Sequence, residues 1–277
     1  FRSLIHQALG IEPPEYVHVP LILGKDKAKL SKRHGATSAL EYRDLGFLPD
    51  AVFNFMCLLG WSPGDDTEVM PREEIVRRFS IDRINDSPAT FDSEKLEWMN
   101  GVYIRNMSED QLITELLPFM ERPEAEGGLP DSVERPIDRD YFKQVIPLVH
   151  ERLKLLTEGT DTLDFFFADN VNPAAEDLPG RKMDAEMTER ALVAALELCK
   201  TVTSFEPEDL EAEYRALAEK IEMKPGQLFS PIRVATTGKS FAPPLFDTMA
   251  AIGQDRCVER IEKAIGILRS AAQSSAE

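Results

Sequence analysis

The length, composition and charge of the chain restrict its class. With 277 residues, of which 43% are hydrophobic, it can form two or three domains that each bury a core. Every apolar run is shorter than the roughly 20 residues that cross a membrane, and the three cysteines lie too far apart for a C-x-x-C zinc pair. We therefore predict a cytoplasmic protein with no metal site. A formal net charge of -17 argues against indiscriminate nucleic-acid binding, which depends on Lys and Arg.

The first predicted element is a strand over residues 17–23, followed by a loop between Gly24 and Gly35. This loop holds five basic residues against one acid, Asp26, in a chain of the opposite overall charge. Such a local concentration of positive charge indicates an anionic ligand. Within the loop, Lys29-Leu30-Ser31-Lys32-Arg33 has the K-x-S-K-x pattern of a mobile polyphosphate-binding loop. A solvated, lysine-rich turn is the alternative interpretation.

Two helices with apolar stripes are predicted next. The first begins at Pro49, which suits a first helical turn, and ends at Gly60. The second begins at Pro71. Their apolar residues recur at helical spacing, so the following side chains are predicted to face a core: Val52, Phe55, Met56, Leu59, Ile75, Val76 and Phe79.

The remaining predicted elements are also helices. Asp92 caps one that ends at the turn pair Asn100-Gly101, and Ser108 with Gln111 forms the capping box of the next. Later helices are predicted over residues 138–156, 184–202, 207–221 and 254–268, with an exposed loop over 121–136 and a linker over 170–182. Because alternation of period two is scarce beyond the first strand, the fold class is predicted to be mainly α.

One stretch near the C-terminus differs in charge from the rest of the chain. Residues 223–246 contain three bases and no acid, which suggests a small basic face on an acidic body. Unstacked RNA bases need flat apolar surfaces and forked hydrogen-bond donors. The stretch supplies Arg233 together with four apolar side chains: Phe229, Phe241, Leu245 and Phe246. The alternative is a core helix whose aromatic rings pack inward.

Short motifs along nearly the whole chain carry a family resemblance. They are the loop at Lys29 to Arg33, Gly46-Phe47-Leu48-Pro49, Leu58-Leu59-Gly60-Trp61-Ser62, Trp98-Met99-Asn100-Gly101, Lys224-Pro225-Gly226-Gln227, Pro231-Ile232-Arg233 and Pro244-Leu245-Phe246. In this order and spacing the chain resembles bacterial glutamyl-tRNA synthetases downstream of the K-M-S-K-S loop of class I synthetases. None of the four histidines lies in the family's H-I-G-H signature, so the resemblance implies a C-terminal fragment that runs through the anticodon-binding domain.

The resemblance also implies a domain order and an activity. Residues 1–37 would be the end of the catalytic domain, 38–107 a helical region that contacts the tRNA stem, and 108–172 and 173–277 two subdomains of an α-helical anticodon-binding array. The intact protein would activate glutamate with ATP and Mg²⁺ and transfer it to tRNA(Glu), as a monomer. This chain by itself would bind no cofactor and would be inactive without the H-I-G-H half.

Catalytic roles are implied only for the basic loop. Lys29, Ser31 and Lys32 would close on ATP, with Lys32 at the α- and β-phosphates. Mobile ammonium groups that reach the departing pyrophosphate in the transition state lower the barrier to adenylate formation. Leu30 and Arg33 replace the Met and the final Ser of the family loop.

The resemblance implies tRNA contacts in two regions. Arg152 matches the position that reads the first anticodon base, cytosine, where some non-discriminating relatives carry Gln. The positions that match the anticodon cradle are Arg233, Ala242, Pro243, Leu245 and Phe246, and Ala242 replaces a hydroxyl residue of relatives. Lys95 and Trp98 belong to the middle region that faces the inner corner of the tRNA. For Trp98 a role as a core anchor is an equal alternative.

Two other functions are open at this point. A non-discriminating enzyme would also charge tRNA(Gln), but Arg152 argues against it. A non-catalytic helical module would use its acidic faces to bind a protein, but such a module gains nothing from the K-x-S-K loop.

Overall fold

The computed structural model describes residues 2–31, 38–180 and 182–274, and in these ranges it confirms the mainly α fold. The helices are α1 (Arg2–Leu9), α2 (Ala39–Asp44), α3 (Pro49–Leu58), α4 (Arg72–Arg78), α5 (Ser93–Arg105), α6 (Glu109–Met120), α7 (Arg139–Val145), α8 (Glu158–Phe167), α9 (Ala185–Thr201), α10 (Pro207–Lys220), α11 (Pro225–Thr237), α12 (Leu245–Ile252) and α13 (Gln254–Ser274). The two strands are β1 (Ile22–Leu23) and β2 (Ala89–Thr90). Every helix in the described ranges is too short or too polar to span a bilayer.

The chain divides into two compact units between Tyr103 and Ile104. In the first unit, β1 and β2 pair in parallel, and a small core forms around Phe55, Leu96 and Met99. The ring of Phe91 packs edge-on against Phe55, with 5.0 Å between the ring centroids. The core of the first unit therefore lies between α3, α5 and Phe91, which follows β2.

The predicted strand over residues 17–23 is wrong in length. Only Ile22 and Leu23 pair with a neighbouring strand, and the side chains of Val17 and Val19 are exposed. An apolar run forms a strand only where a partner supplies the ladder hydrogen bonds, because unpaired backbone groups favour water.

The predicted inward faces of α3 and α4 are partly wrong. Phe55 and Leu59 are buried, but Met56 is exposed. In α4 only Ile75 is buried, while Val76 and Phe79 are exposed. α4 has seven residues, and Phe79 follows it in extended backbone, so that its side chain leaves the helical stripe.

α5 continues through Asn100-Gly101, where the sequence predicts a turn. The Asn100 side chain is fully buried and bonds outside its own helix. Its Oδ1 accepts the N–H of Leu48 at 2.8 Å, and its Nδ2 donates to the carbonyl of Gly46 at 3.4 Å. Because these partners occupy the amide, it does not compete with the backbone hydrogen bonds of α5.

Replacement of Asn100 by Leu is expected to lower the free energy of unfolding of the first unit by about 2 kcal/mol, because two buried backbone groups lose their partners. Both tryptophans, Trp61 and Trp98, lie in this unit, so the urea dependence of tryptophan fluorescence measures its unfolding. The control Asn106→Leu changes an exposed residue and should leave the transition in place. Equal midpoints for Asn100→Leu and the parent would contradict this role.

In the second unit, α9, α11 and α13 pack against one another around fully buried side chains such as Leu192, Leu228 and Ile261. The helices predicted over 184–202, 207–221 and 254–268 are confirmed as α9, α10 and α13, the last being longer than predicted. The capping box of Ser108 and Gln111 is confirmed at the start of α6.

The helix predicted over 138–156 is wrong beyond Val145. α7 ends there, and two short 3-10 helices follow over Ile146–Leu148 and His150–Arg152. Pro147 lacks a backbone N–H, and in a continuous helix its ring would collide with the carbonyl of Lys143. Arg152 therefore ends a single 3-10 turn and does not lie on the face of an α-helix.

The loop predicted over 121–136 is exposed at most of its residues, but a few side chains attach it to the body, as they do the described part of the segment predicted as a linker over 170–182. In the loop over 121–136, Leu129 is fully buried, and the Arg135 guanidinium donates to the carbonyls of Glu121, Leu129 and Val133 at 2.8 to 3.1 Å. In the segment over 170–182, Leu178 is fully buried. Their Pro, Gly and acidic composition predicts loops, but the few apolar residues and one arginine attach them to the body.

Candidate functional site

Two arginines that are distant in sequence converge on one backbone carbonyl in the second unit. Arg233, on α11, donates from Nη1 to the carbonyl of Ala242 at 3.1 Å and to that of Pro243 at 2.5 Å. Arg152, in the turn after α7, donates from Nη1 to the same Ala242 oxygen at 3.4 Å. The structure thus brings Arg152, Arg233, Ala242 and Pro243 of the predicted site together.

The sequence after α11 fixes the segment that these arginines hold. Gly238 ends the helix in left-handed backbone with φ of 74°, a conformation that costs glycine little. The Thr237 hydroxyl then accepts the N–H of Lys239 at 3.1 Å. The Lys239 ammonium donates to both carboxylate oxygens of Asp164, on α8, at 2.8 Å. The segment over 240–244 is therefore anchored at both ends.

An open pocket of about 690 Å³ lies along this segment, and its lining residues are Arg152, Arg233, Ser240, Phe241, Ala242, Pro243 and Pro244. An adjoining cavity of about 340 Å³ shares Arg152 and Phe241 and also involves Lys239. Apolar ring and proline surfaces surround the guanidinium groups. This combination suits a ligand with flat faces and polar edges.

The charges of the pocket are not balanced locally. Within the described part of the chain, neither Arg152 nor Arg233 forms an ion pair with a carboxylate. Burial lowers the pKa of Arg233, and the nearby positive charge of Arg152 lowers it further. Two like charges that face one pocket favour a ligand that brings negative charge or hydrogen-bond acceptors.

The carboxyl that anchors the segment is in a different environment. Burial raises the pKa of Asp164, although the ammonium of Lys239 opposes that rise by favouring the carboxylate. Lys239 is thereby committed to Asp164 and to the carbonyl of Asp161. Its role is to hold the segment, while the guanidinium of Arg152 retains donors that face the pocket.

Two predicted site residues lie in the core instead of the pocket. Leu245 and Phe246 begin α12 and are buried, Phe246 to 7% exposure. The Phe246 ring packs edge-on against Phe229 at 5.0 Å and near Tyr214 at 5.8 Å between centroids. This leaves their side chains little surface for RNA. The inward-packing alternative therefore describes Leu245 and Phe246, whereas the aromatic ring of Phe241 lines the pocket.

The basic loop near β1 is described only in part. Gly24 donates to the carbonyl of Ala28 at 2.8 Å, which reverses the chain, and Lys29 then forms a single bridge with Leu23. Lys29 is exposed and Ser31 is half-buried. Lys32 and Arg33 lie outside the described residues. An exposed ammonium at Lys29 suits phosphate chemistry, and its role stays a prediction.

The two residues predicted to contact the tRNA stem, Lys95 and Trp98, lie on α5 in the first unit. Trp98 is 46% exposed, so the core-anchor alternative is wrong for this side chain. The Lys95 ammonium pairs with the carboxylate of Glu68. Contacts of Lys95 and Trp98 with tRNA stay predictions. Among the described residues, no group of three or more His, Cys, Asp or Glu side chains could hold a metal ion.

Comparison with known families agrees with this geometry. Residues 111–265, which include the whole pocket, match the family described as "Anticodon binding domain". Residues 2–98 match the family "tRNA synthetases class I (E and Q), catalytic domain". The chain therefore belongs to the anticodon-binding-domain family, and its first part is similar to the class I catalytic domain.

The individual relatives that this chain is similar to are glutamate–tRNA ligases, which confirms the resemblance drawn from the motifs. Identity to the glutamate–tRNA ligase of Roseiflexus castenholzii is 44% over 272 residues, which cover 98% of this chain and 53% of the relative. Identity to the glutamate–tRNA ligase of Dehalococcoides mccartyi is 41% over 268 residues, which cover 96% of this chain and 54% of the relative. The solved glutamate tRNA ligase of Elizabethkingia meningosepticum, in complex with its amino acid, superposes with a TM-score of 0.78 at 27% identity, covering 96% of this chain and 54% of that one. The chain thus spans about half the length of the relatives it matches.

Proposed function

We propose that this chain is the tRNA-binding part of a glutamate–tRNA ligase and that its pocket binds unpaired anticodon bases of tRNA(Glu). One observation carries the proposal: Arg152 and Arg233 share the Ala242 carbonyl at the edge of an apolar pocket, without a carboxylate partner among the described residues. Forked guanidinium donors beside flat apolar walls match the polar edges and π faces of splayed bases.

The two arginines have different tasks in this proposal. Arg233 is half-buried and uses Nη1 to hold the pocket wall, so it shapes the site. Arg152 is exposed, and its bond to Ala242 is long, so its guanidinium can turn toward a base edge. Arg152 is therefore the residue that we propose to read the first anticodon base, and the division of labour predicts different effects of their replacement.

The proposed function also assigns roles to the other parts of the chain. In the intact ligase, Lys29, Ser31 and Lys32 would contact ATP, whose Mg²⁺-bound phosphates carry the negative charge that the basic loop attracts. The ligase would activate glutamate and transfer it to tRNA(Glu), acting as a monomer in the cytoplasm. Residues 38–107 would contact the tRNA stem through Lys95 and Trp98, and 108–172 and 173–277 would form the anticodon-binding array.

Replacement of Arg152 by Gln should abolish discrimination at the first anticodon base. A well-placed side chain–base contact provides about 1–3 kcal/mol of discrimination, so the parent should prefer cytosine over uracil there by about 5- to 150-fold and Arg152→Gln by less than about 3-fold. The measurement is fluorescence anisotropy with two tRNA(Glu) anticodon arms that differ only in this base, at two salt concentrations. Arg269→Gln is the charge-matched control, because Arg269 is exposed on α13 and paired with Glu189.

The outcomes separate the candidate functions. An equal loss of affinity for both RNAs in Arg152→Gln would contradict base reading and indicate a phosphate contact, which would also reduce the salt dependence of binding. A parent that binds the uracil and cytosine arms equally would favour the non-discriminating enzyme that also charges tRNA(Gln). Absence of binding to either arm at low salt would overturn the proposal.

A further inference from the structure

Phe241 is a large apolar side chain that the fold leaves unburied. It is 82% exposed, whereas Phe246, five residues later in the same acid-free stretch, is 7% exposed. Burial of a phenylalanine side chain stabilises a fold, and the chain forgoes most of that stabilisation at Phe241. Isolated exposed apolar residues are common on proteins, so exposure alone does not indicate a site.

The backbone on both sides of Phe241 is held in place. Upstream, Lys239 is paired with Asp164. Downstream, Arg233 donates to the carbonyls of Ala242 and Pro243. The ring therefore projects from an anchored segment, and ordering it against a ligand costs little backbone entropy.

The ring also lies beside the cation that the proposed function uses. The guanidinium carbon of Arg152 is 5.7 Å from the centroid of the Phe241 ring, within the range of a cation–π contact. Phe241 and Arg152 line both the 690 Å³ pocket and the adjoining cavity. A flat apolar face and a forked donor are thus presented side by side to the same concave surface.

We infer that the Phe241 ring is a stacking platform for one unpaired RNA base, and that it supplies affinity without base identity while Arg152 supplies identity. Every base has a π face, so stacking on an aromatic ring tolerates sequence, whereas hydrogen bonds to a base edge do not. The described lining of the 690 Å³ pocket has two arginines and no acidic residue, whereas Glu158 and Asp161 contribute to the adjoining cavity. A planar base is favoured over an acidic protein segment because only a planar partner can stack on the ring. The inference rests on the proposed function.

The test uses the full chain and tRNA(Glu) anticodon arms that carry 2-aminopurine, in turn, at each loop position. Fluorescence of this analogue falls when it stacks, so binding of the parent should quench one position strongly. Phe241→Leu should weaken binding by about 5- to 150-fold, the range for loss of one base–aromatic stack, and should relieve that quenching. Phe241→Trp, which keeps an aromatic plane, should retain both properties. Phe79→Leu is the matched control, an exposed phenylalanine of the first unit.

The preference for cytosine over uracil at the first anticodon position distinguishes this inference from the proposed function. Phe241→Leu should lose affinity equally for cytosine and uracil at the first anticodon position, whereas Arg152→Gln loses the preference. If Phe241→Leu binds as tightly as the parent while Arg152→Gln loses the preference for cytosine, the stacking inference is contradicted and the proposed anticodon site is supported. If Phe241→Leu binds more weakly but quenching persists, the ring only positions Arg152, and the inference is equally overturned. If the parent does not bind, the proposed function itself fails.

Discussion

Replacement of Arg260 by Met should lower the free energy of unfolding of the second unit by about 3 kcal/mol, because it leaves buried hydrogen-bond acceptors unpaired. The Arg260 side chain is fully buried on α13 and bonds three backbone carbonyls at helix ends. Its Nη1 donates to Thr236 on α11 at 2.7 Å, and its Nη2 donates to Phe165 at 2.9 Å and Ala168 at 2.5 Å at the end of α8. The last carbonyls of a helix have no partner within it, and a cation there also interacts favourably with the negative end of the helix dipole.

The expected size results from two opposing effects. Met fills much of the aliphatic volume but leaves three buried acceptors unpaired, each at a cost of about 1–3 kcal/mol. Removal of a desolvated charge recovers part of that cost. Burial lowers the pKa of Arg260, and the charge of Arg256 lowers it further, which indicates that the cation is poorly solvated in this position. The loss of the hydrogen bonds is the larger effect.

Chemical denaturation of the full chain can measure this change with an internal reference. Far-UV circular dichroism follows the helices, most of which lie in the second unit, while tryptophan fluorescence follows the first unit. Arg260→Met should move the dichroism transition to lower denaturant. Arg269→Met, on the same helix but exposed, should change stability by less than about 0.5 kcal/mol. If the two variants unfolded at the same midpoint, Arg260 would not hold the helix ends together.

Replacement of Arg233 by Met should reduce affinity for the tRNA(Glu) anticodon arm by about 100- to 1,000-fold, the size of effect that removal of a central interface anchor produces. Its guanidinium both contributes positive charge and holds the carbonyls of Ala242 and Pro243. Truncation of an anchor at the centre of an interface typically costs 2 kcal/mol or more. Without it, the wall over 240–244 loses its attachment to α11, and Phe241 and Arg152 lose their common position.

The control for this change is Arg215→Met. Arg215 lies on α10, is exposed, pairs with Glu211 and approaches the ring of Phe229, so the substitution removes the same charge outside the pocket. It should weaken RNA binding by less than about 5-fold, through long-range electrostatics alone. Anisotropy titrations and thermal unfolding of both variants separate binding from stability. Similar affinities for Arg233→Met and Arg215→Met would show that Arg233 acts only through net charge.

Apolar periodicity and capping residues predicted some helices correctly and misplaced the ends of others. The cap of Ser108 and Gln111 and the helices α9 and α10 depend on neighbouring residues, so periodicity and capping chemistry locate them. Pro147 interrupts the helix after α7 and moves Arg152 into a turn, which apolar periodicity conceals. At Asn100 the sequence predicts the end of a helix that in fact continues. The Asn100 side-chain amide bonds to the backbone of Leu48 and Gly46, so it does not compete with the hydrogen bonds of the helix.

The sequence by itself determined the mainly α fold, the acid-free stretch over 223–246 and the family resemblance, because composition, periodicity and ordered motifs are properties of the linear chain. Only the tertiary structure decided which aromatic residue of that stretch lines the pocket. Phe241 and Phe246 have the same chemistry, yet α10, α11 and α12 enclose Phe246 between Tyr214 and Phe229, while the anchored segment after α11 projects Phe241 into solvent beside Arg152. Burial depends on packing between elements that are distant in sequence, and for that reason the pocket could be assigned only from the folded chain.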